Sequence, residues 1–350
     1  MDFLVSGIQQ IGIGVSNVRE AYTWYNRNLG FRVKMFEEAA EASLMLPYTG
    51  GKPEKRHAIL SLNMHGGGGF EIWQYTERTP QAPLFQPLPG DTGIFMPILK
   101  CTDIDAAFTF LKQKEISVSA LFDSKKYPFF YFKDPFGNPF KVVEYPEHFS
   151  RTKVPVGGVF GAVIGVSDME KSVSFYKNVL GFREIQSDET KTWDDLLFLQ
   201  EENYPVQKVN LFKPNENKGP FSPVLGSNII ELWKVNGRKP RKIFENRQWG
   251  DLGYIHLCFD VVGMRGLQKH CSAQGHPFTV DGGEGFEMGE AAGHFTYIED
   301  PDGTLIEFVE TKKIPVIKKI GWYLNLEKRN RLKPLPNWLL KALSWNSENI

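Results

Sequence analysis

The sequence predicts an α+β fold built from four repeated units, each a strand, a helix and then three strands. Three observations predict it. The block "VSNVREAYTWYNRNLGFR" (15–32) returns as "VSDMEKSVSFYKNVLGFR" (166–183), with seven of 18 positions identical. The stretch "KDPFGNPFKV" (133–142) returns as "EDPDGTLIEF" (299–308), an Asp-Pro-x-Gly corner leading into an apolar strand. Apolar stretches of strand length, "IQQIGIGV" (8–15) and "FGAVIGV" (160–166), precede the two long blocks.

The first unit opens with 8–15, whose alternation reads as a half-buried strand. Asn17 caps the following helix and Gly30 closes it. The unit ends in "GFEIWQY" (69–75). The second runs from "IFMPILKC" (94–101) through the helix 103–116 to "NPFKVVEY" (138–145). The third repeats the first, with Asp168 as cap, Gly181 as terminator and "NIIELWKV" (228–235) as last strand. The fourth repeats the second, from "YIHLCFDV" (254–261) through the helix 266–275 to "TLIEFVE" (304–310). A stretch rich in Pro, Gly and charge (146–158) marks a boundary. The predicted divisions are 1–150, 151–312 and a basic, aromatic tail, 313–350.

Composition narrows the function. The 350 residues carry no formal net charge, so no nucleic-acid partner is expected. Apolar runs are strand-sized, which predicts no membrane-spanning helix. No basic region precedes the first apolar stretch, so no secretory signal is expected. Three cysteines without a CxxC spacing suit a reducing, cytoplasmic setting.

The two repeated motifs, "VSDMEKSVSFYKNVLGF" and "YIEDPDGTLIEF", resemble the vicinal oxygen chelate superfamily. It includes glyoxalase I, methylmalonyl-CoA epimerase, type I extradiol dioxygenases and bleomycin-resistance proteins. The resemblance spans about 8–310. It implies two paired, cup-shaped half-barrel domains, a small-molecule substrate and a divalent metal (Zn, Ni, Co, Mn or Fe) at the bottom of a cup. The ligands would come from the first and last strands of each unit. Those positions hold Gln10, Met96, Gly161 and His256 on first strands, and Glu71, Lys141, Glu231 and Glu307 on last strands.

Short linkers inside each half favour pairing within halves. The first half would then offer Gln10, Glu71, Met96 and Lys141, and be metal-free. Lysine has no lone pair at neutral pH and a thioether suits hard cations poorly. The second half would hold metal with Glu231, His256 and Glu307. Pairing unit one with unit four instead gives Gln10, Glu71, His256 and Glu307, a set that resembles animal-type glyoxalase I. His256 and Glu307 belong to both arrangements. A strand carboxylate between apolar neighbours, such as Glu307, is costly to bury unless paired or metal-bound.

The expected activity is a metal-dependent lyase or isomerase moving a proton beside a carbonyl, with Glu307 as general base. A ring-cleaving dioxygenase and a non-catalytic small-molecule binding protein are the alternatives. The spacing from Tyr297 to Glu307 resembles the extradiol dioxygenases and makes Tyr297 a candidate catalytic residue. That chemistry needs two histidines and a carboxylate, and Gly161 stands where one histidine belongs. "MHGGGG" (64–69) reads as a hairpin tip or lid, and 281–295 as a loop near the site. The tail either lies on an anionic membrane surface or packs over its own domain.

Overall fold

Asn17, Asp103 and Asp168 each accept a backbone hydrogen bond from the residue three positions on, at 3.2, 2.8 and 3.1 Å. These caps fix where three of the four main helices begin, as the sequence predicts. The fourth starts at Gly263 in a left-handed conformation, and its first amides are taken by the Glu310 carboxylate. The computed structural model describes residues 2–124, 126–284, 286–288 and 291–350.

The first unit is β1 (Leu4–Gly14), α1 (Val18–Leu29), β2 (Val33–Glu41), β3 (Lys55–Leu62) and β4 (Gly69–Tyr75). The second is β5 (Gly93–Cys101), α2 (Ile104–Gln113), β6 (Phe129–Lys133) and β7 (Pro139–Glu144). Its expected third strand is reduced to isolated bridges, Val118 to Phe132 and Phe122 to Phe129. The third unit is β8 (Val159–Gly165), α3 (Met169–Asn178), β9 (Glu184–Lys191), β10 (Val206–Lys213), the short α4 (Ser222–Leu225) and β11 (Asn228–Val235). The fourth is β12 (Gly253–Val262), α5 (Met264–Ala273), β13 (Val280–Asp281), β14 (Phe286–Met288), β15 (Ala291–Glu299) and β16 (Leu305–Ile317). The loop expected over 281–295 is largely these short strands, and Gly285, Gly289 and Glu290 lie outside the described residues.

The strands form two curled sheets, and their order overturns the expected pairing within halves. One sheet runs β13-β15-β16-β12-β1-β4-β3-β2, and the other β6-β7-β5-β8-β11-β10-β9. Unit one therefore shares a sheet with unit four, and unit two with unit three. The seams are antiparallel: β1 on β12 and β5 on β8. The linkers inside the halves, 76–92 and 236–252, are not shorter than the 145–158 connection between them, and the units of a half meet through helices and corners. Tyr25 of α1 donates to Asp134 Oδ2 at 2.7 Å, and Tyr176 of α3 donates to Asp300 Oδ2 at 3.0 Å. Both aspartates belong to Asp-Pro-x-Gly corners. Each Oδ1 accepts two backbone amides of its own turn. Gly137 and Gly303 sit at φ 87° and 79°, where a side chain would be strained.

The larger core fills the space between the sheets and their covering helices. A second cluster lines the inside of the first sheet. Residues 64–68 are buried at the junction of the sheets, which corrects the lid reading. Gly67 and Gly68 donate to the carbonyls of Val224 and Val159. The tail joins the fold. β16 continues to Ile317, β17 (Trp322–Asn325) pairs with it, and α6 (Asn337–Ala342) buries Leu339 and Leu340. Each such leucine contributes about 1.5–3 kcal/mol of apolar burial.

Candidate functional site

Four adjacent strands of the first sheet, β16, β12, β1 and β4, each turn one polar side chain to the same point: Glu307, His256, Gln10 and Glu71. All four are at most 6% exposed. His256 Nε2 lies 3.1 Å from Glu307 Oε2 and 3.3 Å from Glu71 Oε2. Gln10 Nε2 donates to Glu71 Oε2 at 3.2 Å and to Glu307 Oε2 at 3.5 Å. Ligand atoms of Glu71, His256 and Glu307 all fall within 4.8 Å of one another. Gln10 Oε1, buried in the same cluster, has no hydrogen-bond partner.

Buried polar atoms normally have partners. One imidazole nitrogen, one amide oxygen and two carboxylates converging without full satisfaction make a donor set suited to a divalent cation. Burial alone would depress the His256 pKa, but Glu307 and Glu71 outweigh it and raise the pKa to about 10. Burial would raise the Glu307 carboxyl, and the His256 charge and hydrogen bonds reverse this to hold it low. A proton would compete for Nε2 with any metal ion that the cluster took up.

Gly12, opposite His256 on β1, makes room for the ring: a Cβ there would come within 2.4 Å of His256 Cε1. Trp249 stacks over the imidazole at 6.3 Å and 15°. The Tyr297 hydroxyl is 3.4 Å from His256 Nδ1 and also hydrogen-bonds the Glu307 carboxylate. Tyr297, the candidate catalytic residue of the sequence, thus touches both His256 and Glu307. An opening beside the cluster is walled by Met45, Arg56, Trp249, Phe295 and Tyr297. Phe295 also borders a larger apolar cavity lined by Met35, Phe36, Leu60, Val309 and Ile314.

The model of the Glyoxalase/Bleomycin resistance protein/Dioxygenase superfamily matches residues 7–142 and 159–308, most of the chain. The chain belongs to this superfamily. Solved structures agree on the fold. A presumed dioxygenase from Bacillus subtilis subsp. subtilis str. 168 is 15% identical, with TM-score 0.56 over 87% of this chain and 85% of that one. Glyoxalase I from Zea mays is 12% identical, with TM-score 0.51 over 87% of this chain and 92% of that one. A point mutant of that maize enzyme gives TM-score 0.53 at the same identity and coverage. No curated protein sequence matches the chain. Among the described residues no helix is long and apolar enough to cross a membrane.

The superfamily's duplicated cup takes two forms in this chain. In the second sheet the matching strands β7, β5, β8 and β11 carry Lys141, Met96, Gly161 and Glu231. Glu231, expected as a ligand beside His256 and Glu307, lies here instead, 2.5 Å from Lys141 Nζ. It is separated from them because β11 pairs with β8 and β10, not with β12. Gly161 leaves no room for a ligand side chain: a Cβ would meet the Ile229 carbonyl at 2.0 Å. A second buried pair, Lys208 to Asp195 at 2.8 Å, fills the same cup, and Tyr131 donates to Asp195 at 2.6 Å.

Sequence reasoning placed His256 and Glu307 together in either arrangement, and Gln10 and Glu71 only in the alternative one. It missed Trp249 and Met45, which come from loops, and Arg56, which comes from β3, none with a repeated signature. The Gly12 signal was present in "IQQIGIG", where glycines follow Gln10 at alternate positions on its strand.

Proposed function

We propose that the first-sheet cup binds a divalent metal and works as a lyase or isomerase of the glyoxalase and epimerase type. The substrate would be a small carbonyl compound carrying an apolar arm. The convergence of Gln10, Glu71, His256 and Glu307, with the buried Gln10 Oε1 left without a partner, carries this reading. When bound, the metal would supply Lewis-acid stabilisation of charge on the substrate oxygen. Gln10, Glu71, His256 and Glu307 would hold it.

Glu307 takes the proton beside the carbonyl and returns it. Its carboxylate faces the opening and is held deprotonated by its neighbours. Glu71, also at the opening, would serve the opposite face of the same carbon. Tyr297 and Trp249 fix the His256 ring, and the apolar walls exclude water from the proton transfer. The donor set supports this reading over ring cleavage, which uses two histidines and one carboxylate.

Metal analysis of protein purified from its own cell, with exchange of α-protons into D2O across a panel of hydroxycarbonyl and thiohemiacetal compounds, tests the proposal. Expected are one divalent ion per chain and exchange that disappears in Glu307→Gln. Iron with oxygen uptake on catechols would replace this reading with the dioxygenase. Bound compound without exchange or turnover would replace it with a binding protein.

A further inference from the structure

Charge is divided unevenly along the chain. Residues 312–350 hold nine Lys or Arg and two Glu, a net of +7, while residues 1–311 hold 32 and 39, a net of −7. The same basic segment carries the three exposed tryptophans, Trp322, Trp338 and Trp345; the other five are buried or half-buried.

These residues form a surface. In α6 and the 3-10 turn that continues it, Leu339, Leu340 and Leu343 face inward, and Leu343 lines the apolar cavity. Trp338, Lys341 and Trp345 follow at spacings of three and four on the outer face. Trp338 is 64% and Trp345 61% exposed. The Asn346 amide donates to the Val316 carbonyl at 3.1 Å, and its oxygen accepts from Lys318 N at 3.0 Å. Trp345 is thereby set beside the turn that holds Lys319 and Ile320, the latter 73% exposed. The inner leucines bury the other face of the helix, and both tryptophans leave most of their surface open.

We propose that this face docks on an anionic phospholipid bilayer. Trp338, Trp345 and Ile320 enter the interfacial region, and Lys319 and Lys341 meet the headgroups. Tryptophan favours that zone because its ring is apolar and its N–H needs a polar partner. The basic segment is drawn to negative lipid, and the net negative remainder of the chain is repelled, which fixes the orientation. A single-stranded nucleic acid could also stack on tryptophans. Ile320 and the rigid helical spacing suit an apolar medium better than stacked bases. The proposal is independent of the chemistry in the metal cup.

Co-sedimentation of the full chain with phosphatidylcholine vesicles, with and without phosphatidylglycerol, tests it. Expected is binding to the anionic vesicles with a blue shift of tryptophan emission. W338S/W345S should weaken it at least ten-fold, about the effect of losing two interfacial anchors. Each of K319Q and K341Q should weaken it about five-fold. Unchanged circular dichroism and an unchanged urea unfolding midpoint would show that the variants are folded. Failure of the wild type to bind anionic vesicles, or full binding by W338S/W345S, overturns the proposal. So does tighter binding to a single-stranded oligonucleotide, or a dimer that depends on the tryptophans without vesicle binding.

Discussion

Lys141 Nζ lies 2.5 Å from Glu231 Oε1, at the two positions of the second sheet that match Glu307 and Glu71 in the first. One cup thus holds a lysine ammonium where the other gathers ligand atoms. The pair is dry, with side chains 8% and 3% exposed, and Lys141 also sits 4.2 Å over the Phe129 ring. Removing one partner of a buried pair strands the other charge. Lys141→Met should therefore destabilise the protein by about 3–5 kcal/mol in urea unfolding, and Lys141→Met with Glu231→Leu by much less. A single-variant loss below about 1 kcal/mol, the level of a hydrated surface pair, would show that the pair is not dry.

The first cup should lose metal when any of its charged donors is removed. Glu307→Gln and His256→Ala are expected to weaken divalent metal affinity by at least 10- to 100-fold, the range seen even for groups behind the ligands. Gly12→Ala should do the same without touching a ligand, because its new methyl displaces the His256 ring. Competition titration against a chelating dye measures all three. Wild-type affinity in Gly12→Ala would mean that the ring is free to move.

The repeat, the strand order of units one and three, three of the four main helix caps and both corners were legible because each depends on local chemistry: alternation, an Asn or Asp cap, an Asp-Pro-x-Gly turn. The partnering of units was not. It depends on whether β1 joins β5 or β12, and all of these first strands are apolar enough to make a seam. The linkers inside the halves, 76–92 and 236–252, are longer than the 145–158 connection between them, and the units of a half meet through Tyr25–Asp134 and Tyr176–Asp300, not through sheet hydrogen bonds. Gln10 and Glu71 reach His256 for that reason, and Glu231 does not.

His65 gives the fold a defined acid sensitivity. Its ring is buried at the sheet junction, and burial, with Lys100 and His148 nearby, lowers its pKa to about 4. An unfolded histidine titrates near 6.5. Its contribution to stability is therefore complete above about pH 6.5 and is lost as pH falls toward 4, since the unfolded chain binds the proton first. The loss should be roughly 2 kcal/mol after allowing for residual hydration. Unfolding free energies of wild type and His65→Gln across that window should differ in slope, with the variant flatter. Parallel slopes would show that His65 is protonated in the native state.

Tyr25 and Tyr176 occupy the same place in the two copies of the repeated block, and each donates to the aspartate of the corner that follows in its own half. Burial raises both aspartates, Asp300 to about 6, so each Oδ2 is poorly placed to find water as a substitute donor. Tyr25→Phe and Tyr176→Phe should each cost about 1–3 kcal/mol, the penalty for leaving a buried acceptor unmatched. The two contacts share no partner, so the double variant should show the sum within about 0.5 kcal/mol. Metal affinity should survive in both single variants, because neither tyrosine touches the cup. Loss of metal in Tyr176→Phe at full folding would instead mean that the Asp300 corner sets the position of Glu307.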